Sequence, residues 1–135
     1  MAIDDLAARW APRLLSVLRM VAAFVLITHG TQKLFAFPVA EPRPPVELFS
    51  LFGAAGVLEV IGGPLLLLGL FTRPLAFLHA GEMAFAYFIA HAPRSVWPVL
   101  NGGEPPVLLS FLFLYLAAVG GGEWALDRTL ARRRP

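Results

Sequence analysis

The chain contains no cysteine and only one lysine, Lys33, among its 135 residues. Without thiols it forms no disulfide, runs no thiol exchange and cannot ligate an iron–sulfur cluster. Charge is scarce as well: 15% of residues are charged, against about a quarter in soluble proteins. The net charge is +2, and the basic residues gather toward the ends. That balance disfavours a nucleic-acid groove and suits contact with anionic headgroups. No GxGxxG follows a strand pattern, and no internal repeat is visible.

What is abundant is apolar. Hydrophobic residues make up 58% of the chain, and the mean hydropathy of +0.71 does not suit a water-facing globule. Four apolar segments, at about 14–35, 48–70, 74–90 and 106–122, each approach the ~20 residues needed to cross a bilayer. The breaks between them, FPVAEPRPP, FTRP and HAPRSVWPVLNGGEPP, are rich in turn formers. The pattern predicts an all-α integral membrane four-helix bundle, one four-span domain over residues 1–135. The first segment reads as a retained span. Asp4 and Asp5 precede it, it is longer than a signal-peptide core, and no small-x-small cleavage site follows.

Four crossings put both termini and the 71–74 turn on one side of the membrane. That side carries Arg9, Arg13, Arg73, Arg128, Arg132, Arg133 and Arg134; the opposite loops carry Arg43 and Arg94, with Lys33 at the boundary. The positive-inside rule then predicts cytoplasmic termini.

Polar residues at depth carry the chemistry. Glu59 falls near the middle of the second segment and Glu82 near the middle of the third, with His79 one turn away. Arg19 falls in the inner half of the first segment, and His29, Gln32 and Lys33 in its outer half. A charge at a helix centre costs about 2.5–3.5 kcal/mol on insertion scales, so both carboxylates are expected to face the interior. Arg19 is the expected counter-ion for Glu59 or Glu82, either as part of a site or as a structural clamp. Arg19 and Lys33 can alternatively snorkel toward headgroups. Gly53, Gly56, Gly62 and Gly63 bracket Glu59, and Pro64 releases the carbonyl of Val60 from its helical bond. These residues suggest a polar pocket with His29 and Lys33 at its mouth and Glu59 at its floor. Glu59 and Glu82 are the candidate catalytic acids; Arg19, His29, Gln32, Lys33 and His79 are candidate ligand-binding residues.

Haem and metal fit poorly. His29 and His79 differ by ~10 Å in depth, which strains ligation of one iron by both. The set His29, Glu59, His79 and Glu82 has metal-ligand types, but its one His-x-x-Glu pair reverses the Glu-x-x-His order of di-iron bundles. No metal site is assigned.

Arg19 followed by HGTQKLF, then GVLEVIGGPLLLLGLFTRP, then NGGE together resemble the DoxX family of small bacterial membrane proteins. Gly30, Lys33 and Leu34 carry the first match. Glu59, Gly62, Gly63, Gly69, Leu70, Thr72 and Arg73 carry the second; Asn101, Gly102, Gly103 and Glu104 carry the third. The resemblance runs over about residues 14–127. It implies a four-helix bundle in the bacterial inner membrane and adds Asn101 to the ligand-binding candidates. It also implies a redox theme, since namesake relatives are associated with terminal oxidase and thiosulfate:quinone oxidoreductase complexes, and others with membrane-linked redox defence. The expected function is thus a subunit or partner of a quinone-linked oxidoreductase system, with quinone as the expected ligand and a membrane or cytoplasmic redox partner. Self-association is compatible with this. Two alternatives stand beside it: a non-enzymatic anchor for a redox enzyme, and a lipid-substrate isomerase or cyclase using a buried acid. Transport has less support, because inverted repeats and paired broken helices are missing.

Overall fold

The computed structural model of the chain describes residues 2–39 and 41–132; Arg133 and Arg134, counted above on the cytoplasmic side, lie outside the described residues. Helices α1 (Ile3–Phe35), α2 (Leu51–Leu68), α3 (Thr72–Ala86), α4 (Pro98–Asn101), α5 (Glu104–Val119) and α6 (Leu126–Arg132) follow in order. A π-helical turn, Tyr87–His91, continues α3. There is no strand among the described residues. Each of the four apolar segments forms a helix. By length and hydropathy α1 and α2 are long and apolar enough to cross a membrane, whereas α5 is a shorter apolar helix.

The chain divides into two compact units, one comprising residues 1–71 and 121–135, the other residues 72–120. In the first unit α1 packs on α2. Asp4 and Asp5 occupy the first turn of α1 and Lys33 the last, complementing the helix dipole at each end. The buried stripe of α1 is Ser16, Arg19, Ala22, Ala23, Leu26 and Gly30, at the three-and-four spacing of one helix face. α2 starts at Ser50, whose hydroxyl accepts from the Gly53 amide at 3.0 Å. It ends at Gly69, whose φ of 72° is the left-handed conformation glycine tolerates.

Small residues set the register of this pair. A Cβ at Gly30 would lie 2.8 Å from Glu59 Cβ, one at Gly63 would lie 2.5 Å from Ile27, and one at Gly56 would lie 3.0 Å from Leu34. The helices therefore run antiparallel, with Gly30 level with Glu59. The segment after residue 120 returns to the other end of α1. The Glu123 amide donates to the Pro12 carbonyl at 3.0 Å, and the Trp124 amide to Ser16 Oγ at 3.0 Å. The Asp127 carboxylate accepts from the Phe71 amide at 2.8 Å.

In the second unit α3 packs on α5. The buried stripe of α3 is Thr72, Ala76, His79, Ala80 and Met83. The Ser110 hydroxyl of α5 donates to the Ala80 carbonyl at 2.9 Å. Asn101 sits in a self-contained loop: its side-chain oxygen accepts from the Gly103 amide at 2.7 Å, and its side-chain nitrogen donates to the Ser95 carbonyl at 2.6 Å.

Burial is inverted relative to a soluble protein. Arg19 and Glu59 are each 1% exposed and His79 0%, while Phe24, Ile61, Phe77 and Phe111 are 60–70% exposed. Polar groups inside and large apolar side chains outside are what lipid, as a solvent, selects.

Candidate functional site

Glu59 lies midway along α2, opposite Gly30, because only a residue without a side chain allows that approach. One turn further along α1, Lys33 stands level with Gly56 and turns toward the carboxylate. Its Nζ donates to Glu59 Oε1 at 2.6 Å. The carboxylate side chain is 1% exposed and the lysine 23%, so the charge-assisted bond is largely shielded from solvent.

Arg19 differs from expectation. Its guanidinium does not reach for a central carboxylate; Nε donates to the Gly121 carbonyl at 2.8 Å, and Nη1 to the carbonyls of Leu66 and Leu67. Carbonyls at the end of α2 run short of helical amides, Leu66 keeping only the Gly69 capping amide at 3.0 Å, and a cation there also meets the negative end of the dipole. Arg19 therefore closes α2 and fastens residue 121 to it, and Lys33 takes the place opposite Glu59 that had been expected of Arg19.

The remaining candidates separate. His29 shares the face of Lys33 by spacing but is exposed. Gln32 donates to the Pro38 carbonyl at 3.1 Å. In the second unit, His79 Nδ1 and Glu82 Oε2 are 2.6 Å apart, three residues apart on α3. The His79 ring lies 5.8 Å from Phe113. The amide of Asn101 is engaged within its own loop.

Sequence reasoning named Arg73 for topology and for the family resemblance but did not foresee its contacts. Arg73 donates to the carbonyls of Ala117, Ala118 and Val119 at the end of α5. The signal was present as an arginine in the turn between two apolar segments, within reach of the end of a neighbouring helix. Among the described residues no group of three His, Asp or Glu side chains could hold a metal ion.

An all-helical chain with a shielded Lys33–Glu59 ion pair and an apolar exterior defines a membrane protein. The DoxX family model matches residues 14–92, and the chain belongs to that family. It is 40% identical to an uncharacterized protein of Haemophilus influenzae, over 93% of this chain and 96% of the relative. It is 28% identical to an uncharacterized membrane protein of Mycobacterium tuberculosis, over 98% of this chain and 96% of the relative. It is 29% identical to the inner membrane protein YphA of Escherichia coli, over 87% and 90%. No solved structure matches the chain.

Proposed function

We propose that this DoxX-family protein crosses the bacterial inner membrane four times, with both termini cytoplasmic, and serves a quinone-linked oxidoreductase system as its membrane partner. The observation that carries this reading is the shielded Lys33–Glu59 bond at 2.6 Å between two apolar helices. Quinone chemistry needs a donor to a carbonyl oxygen and a group that exchanges a proton, in a dry setting. The lysine ammonium has three donors, so it can hold Glu59 and still offer a hydrogen bond to a ring carbonyl. Glu59 holds or releases the proton. A quinone bound there would supply the electron-accepting ring, and the electrons come from the partner enzyme, because the chain has no thiol for a cluster.

The test is to purify the protein in mild detergent and identify co-purifying small molecules by mass spectrometry. A stoichiometric quinone that is lost in Glu59→Gln, with the helical content unchanged, supports the reading. A ligand-free wild type sinks it in favour of a scaffold. The scaffold reading has an observation of its own: Arg19 binds three backbone carbonyls and so fastens the C-terminal segment to α2. Orientation is checked separately. A reporter fused at the C-terminus is expected to remain cytoplasmic, and periplasmic activity would reverse the topology.

A further inference from the structure

The second buried carboxylate, Glu82, has no part in the reading above. With an ionised Glu82 beside a neutral imidazole, the 2.6 Å contact with Glu82 Oε2 puts the proton of His79 on Nδ1, since a carboxylate only accepts hydrogen bonds. Nε2 then presents its lone pair. The His79 side chain is 0% exposed and that of Glu82 10%. Among the described residues, neither His79 Nε2 nor Glu82 Oε1 has a hydrogen-bond partner. A buried polar atom left without a bond costs about 1–3 kcal/mol. Two such atoms on one pair, both acceptors, point to a donor that completes them.

The surroundings define that donor. Ala76, Ala80 and Met83 share the buried stripe with His79, and the Phe113 ring lies 5.8 Å away. The nearby Ser110 hydroxyl is committed to the Ala80 carbonyl. A Cβ at Gly81 would meet nothing within 4 Å, so the backbone beside Glu82 is open to its surroundings. A carboxylate-oriented imidazole is also how proteins prepare a histidine for metal, but the further ligands are missing among the described residues. An anion would meet the charge of Glu82. An uncharged hydroxyl on an apolar body supplies the donor that Nε2 lacks.

We propose that His79 and Glu82 form a binding site for the phenolic or alcoholic hydroxyl of a lipid-soluble molecule. Its O–H donates to His79 Nε2, and its apolar body lies against Met83 and Phe113. This goes beyond the Lys33–Glu59 reading, since it uses other residues and asks for a hydrogen-bond donor where Lys33 asks for a carbonyl acceptor.

The test uses the full-length protein in mild detergent, titrated with 4-fluorophenol and followed by fluorine NMR. 4-Fluoroanisole, which has the same ring without the donor, is the control. Saturable binding of the phenol, at least tenfold tighter than the ether, is expected. The Nε2 resonance of ¹⁵N-labelled His79 should move with the same midpoint, and His79→Phe should abolish the preference. Equal affinity for phenol and ether, or no saturable phenol binding, overturns the proposal. Should His79→Phe fail to fold, the wild-type phenol-to-ether ratio and the nitrogen shift decide alone. A protein that retains a quinone yet shows no phenol preference loses this inference and keeps the other.

Discussion

The two units use the same parts differently. Each pairs two helices, each ends a helix beneath an arginine, and each holds one carboxylate 2.6 Å from a nitrogen-bearing side chain. In the first unit the carboxylate is held across helices, Lys33 to Glu59, and the arginine, Arg19, is 1% exposed. In the second the carboxylate is held along one helix, His79 to Glu82, and Arg73 is exposed. Cross-helix pairing makes the first carboxylate part of what joins α1 to α2. Pairing within α3 leaves the second free of that duty and available to a ligand.

The largest effect should come from breaking the cross-helix pair unevenly. Lys33→Met strips the 1%-exposed Glu59 of its lysine, and removing one partner of a buried pair costs about 3–5 kcal/mol. Adding Glu59→Leu in the same chain should recover most of the loss, because two apolar groups replace two charges. Glu82→Leu, by contrast, removes a partner only from His79 and should cost about 1–3 kcal/mol. Unfolding in graded detergent mixtures would measure all three. If Lys33→Met proves no worse than Glu82→Leu, the distinction between the units fails.

The arginines give the next contrast. Arg19→Met removes the donor of the Gly121 and Leu67 carbonyls and leaves Leu66 only the Gly69 amide, for an expected loss of about 1–3 kcal/mol. Arg73→Met removes an exposed cation from a helix end, for about 0.3–1 kcal/mol. The same unfolding assay separates them. Equal losses would mean that Arg73 is shielded from solvent in the membrane.

Much of this was legible in the sequence, and what was not has a common cause. The apolar segments between turn formers located four helices to within a few residues, because hydropathy is a property of contiguous chain. The extension of α1 back to Ile3 was not legible, since Asp4, Asp5, Arg9 and Arg13 interrupt the apolar run there and the segment only continues a helix already nucleated. The counter-ion of Glu59 was misread through register. Centring both spans on one plane sets Arg19 nearer Glu59 than the structure does. The contacts of Gly30, Gly56 and Gly63 slide α1 along α2 by about six residues, or ~9 Å. That shift brings Lys33 within reach of Glu59 and carries Arg19 to the end of α2. Which small residue meets which neighbour is a fact of packing, and no local pattern encodes it.

One substitution made in both units is the sharpest test, because stability should move in opposite directions in the two. Gly30→Ala and Gly81→Ala are the same substitution in the two units. At Gly30 the new methyl would lie 2.8 Å from Glu59 Cβ and 2.9 Å from the Val60 backbone nitrogen. Backbone cannot move aside, so a loss of about 1–3 kcal/mol is expected. At Gly81 the methyl meets nothing within 4 Å, and a helical glycine replaced by alanine gains about 0.5–1 kcal/mol from restricted unfolded states. Residues two apart on a helix point to different sides, so the methyl stands away from His79 and the phenol proposed there. Gly81→Ala should therefore unfold later than wild type and bind 4-fluorophenol as tightly as wild type does. A variant that is more stable yet binds the phenol several-fold more weakly would show that the ligand approaches over the Gly81 side of α3. One that is less stable would show that Gly81 is packed, and the second unit would then resemble the first.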